Sequence, residues 1–271
     1  MSSRIISGNR TAEDIVRAYY ERQNANPAAS QPATPAVIPQ TPAVQPIGSI
    51  VNGVYVFDNH QLVQATTPVY RKFLKESGYA DLDSCLKLEV SKGLLKMDQN
   101  VSKVALDRGI TLNGNIGDYV TNINHSDSRI LVQSLGYQVL TTKLMYGLFI
   151  PYIKSEASKG NAEAQATLKE MIDTKAEWLE DLVLGKNKLK IGSKETRLNL
   201  PKKDGRYDIA DVNHYGYPEK VKDSGEHYLW ASKGDEKAAI RGRYSGLGLS
   251  LDWGPSIAGP GLGVRVAKFF L

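Results

Sequence analysis

The chain has almost no cysteine and little histidine: among 271 residues there are one cysteine, Cys85, and four histidines. A single thiol excludes an intrachain disulfide framework and any zinc site built from several thiolates. Four scattered histidines do not make a His-rich metal site. Stability must come from an ordinary core, and no metal and no cofactor is expected. No apolar run approaches the ~20 residues that a membrane-spanning helix needs, and Met1 to Ile6 lack the long apolar stretch of a signal peptide. The expectation is a soluble chain with no membrane span. Charge of one sign is also missing. Lys and Arg number 34 against 29 Asp and Glu, a net charge of +5, and the two signs interleave. Even Lys186, Lys188, Lys190 and Lys202-Lys203 read as solvated faces, so no nucleic acid partner is expected.

The length suits one large or two small domains. Residues 1–24 hold a short helix over 11–23, where Thr11 is the cap, Asp14 sits at the capping-box spacing, and Ile15, Val16, Tyr19 and Tyr20 form one apolar face. A helix of about 12 residues is marginal alone. Its face docks either on the main domain or on another copy of the chain, giving an oligomer through residues 11–23. Between Gln23 and Phe57 no residue is charged, and Pro27, Pro32, Pro35, Pro39, Pro42 and Pro46 interrupt any regular ladder. Residues 25–47 are a Pro-rich linker, read as an extended spacer or as a disordered extension.

The globular domain spans 48–271. It begins with a strand over Val51 to Phe57, whose inward side is read as Val54 and Val56. Pro68 opens a helix through Phe73 and Leu74. Residues 87–107 are amphipathic but ambiguous, and 109–117 read as a loop. Thr141 caps a helix over Lys143 to Leu148, and a longer helix over about Asn161 to Val183 carries Leu168, Met171, Ile172, Leu179 and Leu182 at helical spacing, with Trp178 in the core. After Gly185 short apolar pieces alternate with turn residues: Leu189–Ile191, Leu198–Leu200, Tyr228–Ala231, Ala238–Ile240, Leu247–Leu251 and Gly263–Ala267. The fold class is α+β, with helices packed beside a small antiparallel sheet. Gly242 and Gly263 mark a tight turn or a close backbone approach. Arg265, between Val264 and Val266, pairs with a carboxylate or with loop carbonyls.

Arg241-Gly242, Gly246-Leu247, the run from Leu251 to Ser256 and Gly263-Val264-Arg265-Val266-Ala267 together resemble the end of the C-type-lectin-like fold in its formylglycine-generating-enzyme branch. Leu200-Pro201, the Gly205 to Tyr217 segment, Tyr228-Leu229-Trp230-Ala231-Ser232, Leu140-Thr141-Thr142, Ile150-Pro151 and Glu177-Trp178 extend the likeness over roughly 48–271. Within that branch the chain is similar to the variable proteins of diversity-generating retroelements, known from phages, bacteria and archaeal or viral genomes. There, adenine randomisation of AAY codons yields a surface patch without Trp, Lys, Gln, Glu or Met. The window from Ile240 to Val264 contains none of these except Trp253, whereas Lys186 to Lys237 contains fifteen. A Gly-rich loop region that is simply poor in long side chains is the bland alternative.

The resemblance implies a non-enzymatic, ligand-binding protein with a variable region over about 238–267, binding a protein or surface ligand of unknown identity on a cell or virus. Its contacts would be Arg243, Tyr244 and Ser245, then Ser250, Asp252 and Gly254, then Ile257, Gly259 and Gly261. Leu247, Leu249, Leu251 and Pro255 would be scaffold, and Trp253 either scaffold or an aromatic anchor. A fixed structural or assembly protein of a phage or virus on the same fold is the other reading. Location stays open between virion, cell surface and cytoplasm. The branch's copper-dependent oxidases need two reactive cysteines, which a chain with one does not supply. The calcium tripeptides E-P-N and W-N-D of sugar-binding lectins are absent. The Gly-rich runs 113–117 and 259–263 follow no strand into a helix, so they do not cradle phosphate. Asp208, Asp211 and His214 have ligand-like spacing but read as a polar loop.

Overall fold

A computed structural model describes residues 48–271 apart from 52, 174–175, 186, 233 and 243–246. The helix expected over 11–23 and the linker over 25–47 lie outside the described residues. The first strand is a hairpin: β1 (Ser49–Val51) pairs with β2 (Val54–Asp58). Gly53 turns the chain between them at φ +76°. The inward side of β2 is Tyr55 and Phe57, both fully buried, while Val54 and Val56 are half-buried. The expected face is thus reversed, because the aromatic pair has more apolar area to remove from water.

Helix starts follow local chemistry. Asp58 and Gln61 form a capping box for α1 (Asn59–Ala65). Thr67 caps α2 (Pro68–Ser77), which ends at Gly78 in the left-handed conformation. The ambiguous stretch resolves into β3 (Lys87–Ser91) and α3 (Gln99–Asp107), the latter capped by Asp98. Asn124 caps α4 (His125–Ser134), and β4 (Gln138–Val139) follows. Thr141 caps α5 (Thr142–Leu144), which widens into a π-helical turn over Met145–Phe149 before α6 (Ile150–Ser158). Pro151 has no N–H for the Gly147 carbonyl, and the Ile150 N–H reaches back to Met145.

The long helix expected to run to Val183 is corrected. α7 (Ala162–Asp173) ends early, and β5 (Ala176–Leu184) replaces its second half. β5 is central and buried on both faces: Leu179 and Val183 join the main core, while Trp178 and Leu182 join a second cluster with Ala238, Ile240 and Leu262. Two apolar faces superimposed along one strand erase the alternation that marks a half-buried strand and imitate helical spacing.

The remaining strands are β6 (Lys188–Ile191), β7 (Lys194–Arg197), β8 (Gly205–Tyr207), β9 (His227–Trp230), β10 (Glu236–Arg241), β11 (Leu249–Trp253), β12 (Leu262–Val264) and β13 (Val266–Phe270). Leu198–Leu200 lies just past β7 and is not a strand. The architecture is α+β, with two sheets where one small one was expected. One sheet has the order β1-β2-β3-β13-β4. The other runs β7-β6-β5-β10-β11-β9-β8, with β12 beside β5. It is mixed, because β11 runs parallel to β9 and β12 parallel to β5. Tyr55 and Phe57 meet Phe149 and Tyr152 edge to face in the main core.

Candidate functional site

The C-terminal segment is organised around a buried carboxylate. Glu177 on β5 is the cross-strand neighbour of Arg241 on β10 and of Gly263 on β12. Arg241 donates from Nη2 to Glu177 Oε1 at 2.5 Å, and from Nη1 to the Met171 carbonyl at the end of α7. Arg265, in the step from β12 to β13, donates from Nη2 to Glu177 Oε1 at 2.8 Å and from Nε to both carboxylate oxygens. Its Nη1 donates to the carbonyls of Ser91 and Lys92, and its guanidinium lies 5.1 Å from the centre of the Phe149 ring. The expected partners of Arg265 are therefore present. Burial pushes the Glu177 carboxyl up, but the two guanidinium groups override it and hold the carboxyl below its ordinary value. The triad ties both sheets and α7 together.

Gly263 meets its expectation as a close approach. A Cβ there would lie 2.7 Å from Leu94 Cδ1 and 2.9 Å from the Val120 carbonyl. Gly263→Ala is expected to lower stability by about 1–3 kcal/mol, read as a lower urea midpoint at unchanged slope. An unchanged midpoint would mean that the backbone there is not held so tightly. Gly242 sits just past β10 at φ +93°, and its N–H closes the turn on the Gly248 carbonyl.

Two segments flank this framework. The first, 242–248, joins β10 to β11 and carries Arg243, Tyr244 and Ser245, with 243–246 outside the described residues. Its far end is fixed by bonds from Tyr146 Oη to the Gly248 carbonyl and between His227 Nδ1 and the Leu247 carbonyl. The second, 254–261, is pinned through its own backbone. The carbonyls of Pro255, Gly259 and Gly261 accept from the N–H groups of His125, Asn122 and Ala176. Its outward residues are Ser256, Ile257, Ala258, Pro260 and Gly261, with Ile257 45% exposed. Ser256, Ala258 and Pro260 were not among the expected contacts. The signal for them is the run of small side chains in which they lie. β11 separates the two loops by five residues, a span of ~17 Å. The expected contacts therefore flank β11 at both ends.

Two expected contacts are corrected. Ser250 is fully buried, with Ile240 and Trp230 as its cross-strand neighbours on β10 and β9, and its hydroxyl donates to Asp252. Gly259 is buried under Trp253, whose ring carbons would be 3.6 Å from a Cβ at that position. Asp252, Trp253 and Gly254 are half-buried. Trp253 packs against the Trp178 cluster, which places it in the framework with part of its ring at the surface.

Beneath the second loop, His125 shares a hydrogen bond of 2.8 Å with the Leu179 carbonyl and meets the Trp178 ring edge to face. Burial, opposed by that bond, brings its pKa down to about 4. No group of three or more His, Cys, Asp or Glu suited to a metal occurs among the described residues. Asp208 and Asp211 both face Lys222, at 3.5 and 2.5 Å. Cys85 is buried and donates to the Lys87 carbonyl. No helix among the described residues is long and apolar enough to cross a membrane. No family model matches the chain, and neither a curated protein nor a solved structure matches it significantly.

Proposed function

We propose that this chain is a non-enzymatic ligand-binding protein of the C-type-lectin-like type, displaying a sequence-variable surface in the manner of the target proteins of diversity-generating retroelements. The observation that carries the reading is a division of labour within 240–265. Arg241, Leu249, Leu251, Leu262, Val264 and Arg265, all in or beside the fixed motifs, are buried. Between them the loop 254–261 is anchored by backbone bonds and by Gly259 under Trp253, and turns Ile257 and several small residues outward. Its outward positions tolerate replacement, because their side chains point to solvent, whereas Gly259 stays fixed under Trp253. Affinity would come from a few anchors on a rigid frame, with the exposed part of Trp253 and Ile257 as the apolar contacts.

The test is sequencing of this locus across a population of its source. Substitutions are expected to concentrate at codons 243–245, 252, 254, 256–258 and 260–261, at adenines of a nearby template copy, and to spare 241, 249–251 and 262–265. Substitutions spread evenly, with no template copy, would remove the variable-surface reading and leave a fixed assembly protein on the same framework.

A further inference from the structure

We propose that the cavity beside Lys143 is a binding site for a small molecule bearing an oxyanion, either a phosphate or a carboxylate. This site is independent of the loop surface and of the reading given to it. The cavity measures about 530 Å³ and is lined by Thr67, Lys143, His214, Glu219, Lys220 and Lys222, among others. That volume falls within the range of small-molecule sites.

Lys143 is the central residue of the site. It is half-buried, and no carboxylate lies within ion-pair reach of it among the described residues. A half-withdrawn ammonium without a counter-charge is an unfavourable arrangement that an anionic ligand would relieve. Burial alone pushes its pKa down. The residue is also held in place. Thr142, its neighbour, donates from N–H and Oγ1 to Asp181 Oδ2 at 2.5 and 3.0 Å. Gly216, at φ +87°, lies so close that a Cβ there would be 2.7 Å from Lys143 Cα. The π-helical turn begins two residues later, a geometry that recurs at functional sites.

The rest of the lining fits the same ligand class. Lys220 adds a second ammonium, and His214 is exposed at the cavity. Thr67 accepts from the Tyr70 N–H and keeps its own proton to donate. Lys222 is already engaged by Asp211 and Asp208, so Lys143 and Lys220 supply the available positive charge and Glu219 opposes it.

The test is acetylation of the full chain with a water-soluble succinimidyl ester, read per lysine by peptide mass spectrometry during titration with inorganic phosphate and, separately, with acetate. Labelling of Lys143 is expected to fall along a saturating curve, to about a tenth at ~10 times the dissociation constant. Lys72 and Lys188, whose side chains are 78% and 63% exposed, should be unaffected. Protection by phosphate alone assigns a phosphate ligand, by acetate alone a carboxylate, and by both a general oxyanion site. Protection by neither overturns the proposal. Glu219→Gln removes the opposing carboxylate and should shift the midpoint about two- to fivefold lower. An unchanged midpoint would take the anion away from these residues.

Discussion

Replacing Glu177 by alanine is expected to destabilise the protein by about 3–5 kcal/mol. Arg241 and Arg265 are 0% and 1% exposed, and Glu177 is the carboxylate that both face. Deleting it leaves two guanidinium groups in a medium that solvates charge poorly. The loss therefore exceeds what the hydrogen bonds alone contribute. Urea unfolding followed by tryptophan fluorescence is a direct readout, since Trp178 lies next in the chain. Glu177→Gln should fall between wild type and alanine, because its amide oxygen still accepts but carries no charge. A loss below about 1 kcal/mol for the alanine variant would mean that both arginines reach water. Arg265 lies just past the loop 254–261, so the variant should also loosen that loop before the rest of the core.

Asp181→Asn is expected to change how stability depends on pH. Burial raises the Asp181 carboxyl from 3.8 to about 7, against the opposing bonds from Thr142, and its Oδ1 has no hydrogen-bond partner among the described residues. In the unfolded chain it ionises near its ordinary value. Between these limits the native state holds the extra proton, so this group lowers stability as pH rises from about 4 to about 7. His125 acts oppositely. Its pKa falls from 6.5 to about 4 on folding, so the unfolded state takes the proton first, and stability rises with pH through that window. The two effects, each ~3–4 kcal/mol, nearly cancel in the wild type. Asp181→Asn keeps an acceptor for Thr142 and removes the falling part. The variant should match the wild type near pH 4, gain about 2–4 kcal/mol by about pH 8, and show a profile that rises towards neutrality. Parallel profiles for the two proteins, measured by urea unfolding across that range, would show that Asp181 is ionised in the native state throughout.

Local chemistry was legible in the sequence wherever one residue decides the matter. Thr141 caps its helix, Pro68 starts another, Gly242 turns a strand and Arg265 finds its carboxylate. What stayed hidden depends on long-range neighbours. β5 looks helical until β6, β10 and β12 are known to surround it. Ser250 looks like a surface serine until Ile240 of β10 and Trp230 of β9 are known to stand beside it. The candidate surface was half legible. Small residues at 254–261 marked the loop, but the burial of Gly259 depends on Trp253 lying over it. The Lys143 cavity showed in the sequence only as the polar spacing of Asp211 and His214, because its wall is assembled from residues near 67, 143 and 211–222.

The position of β13 has a kinetic consequence. It lies between β3 and β4, and the Arg265 contact with Ser91 spans 174 residues of chain. Until that late strand arrives, the β1–β2–β3 meander has an unpaired edge whose inward residues, Leu88 and Val90, are fully buried only in the finished sheet. Loop closure over such a distance is slow, and an exposed apolar edge invites pairing with other chains. Refolding at high protein concentration should therefore lose material to aggregation at this edge, and the yield is set by how quickly β13 closes it.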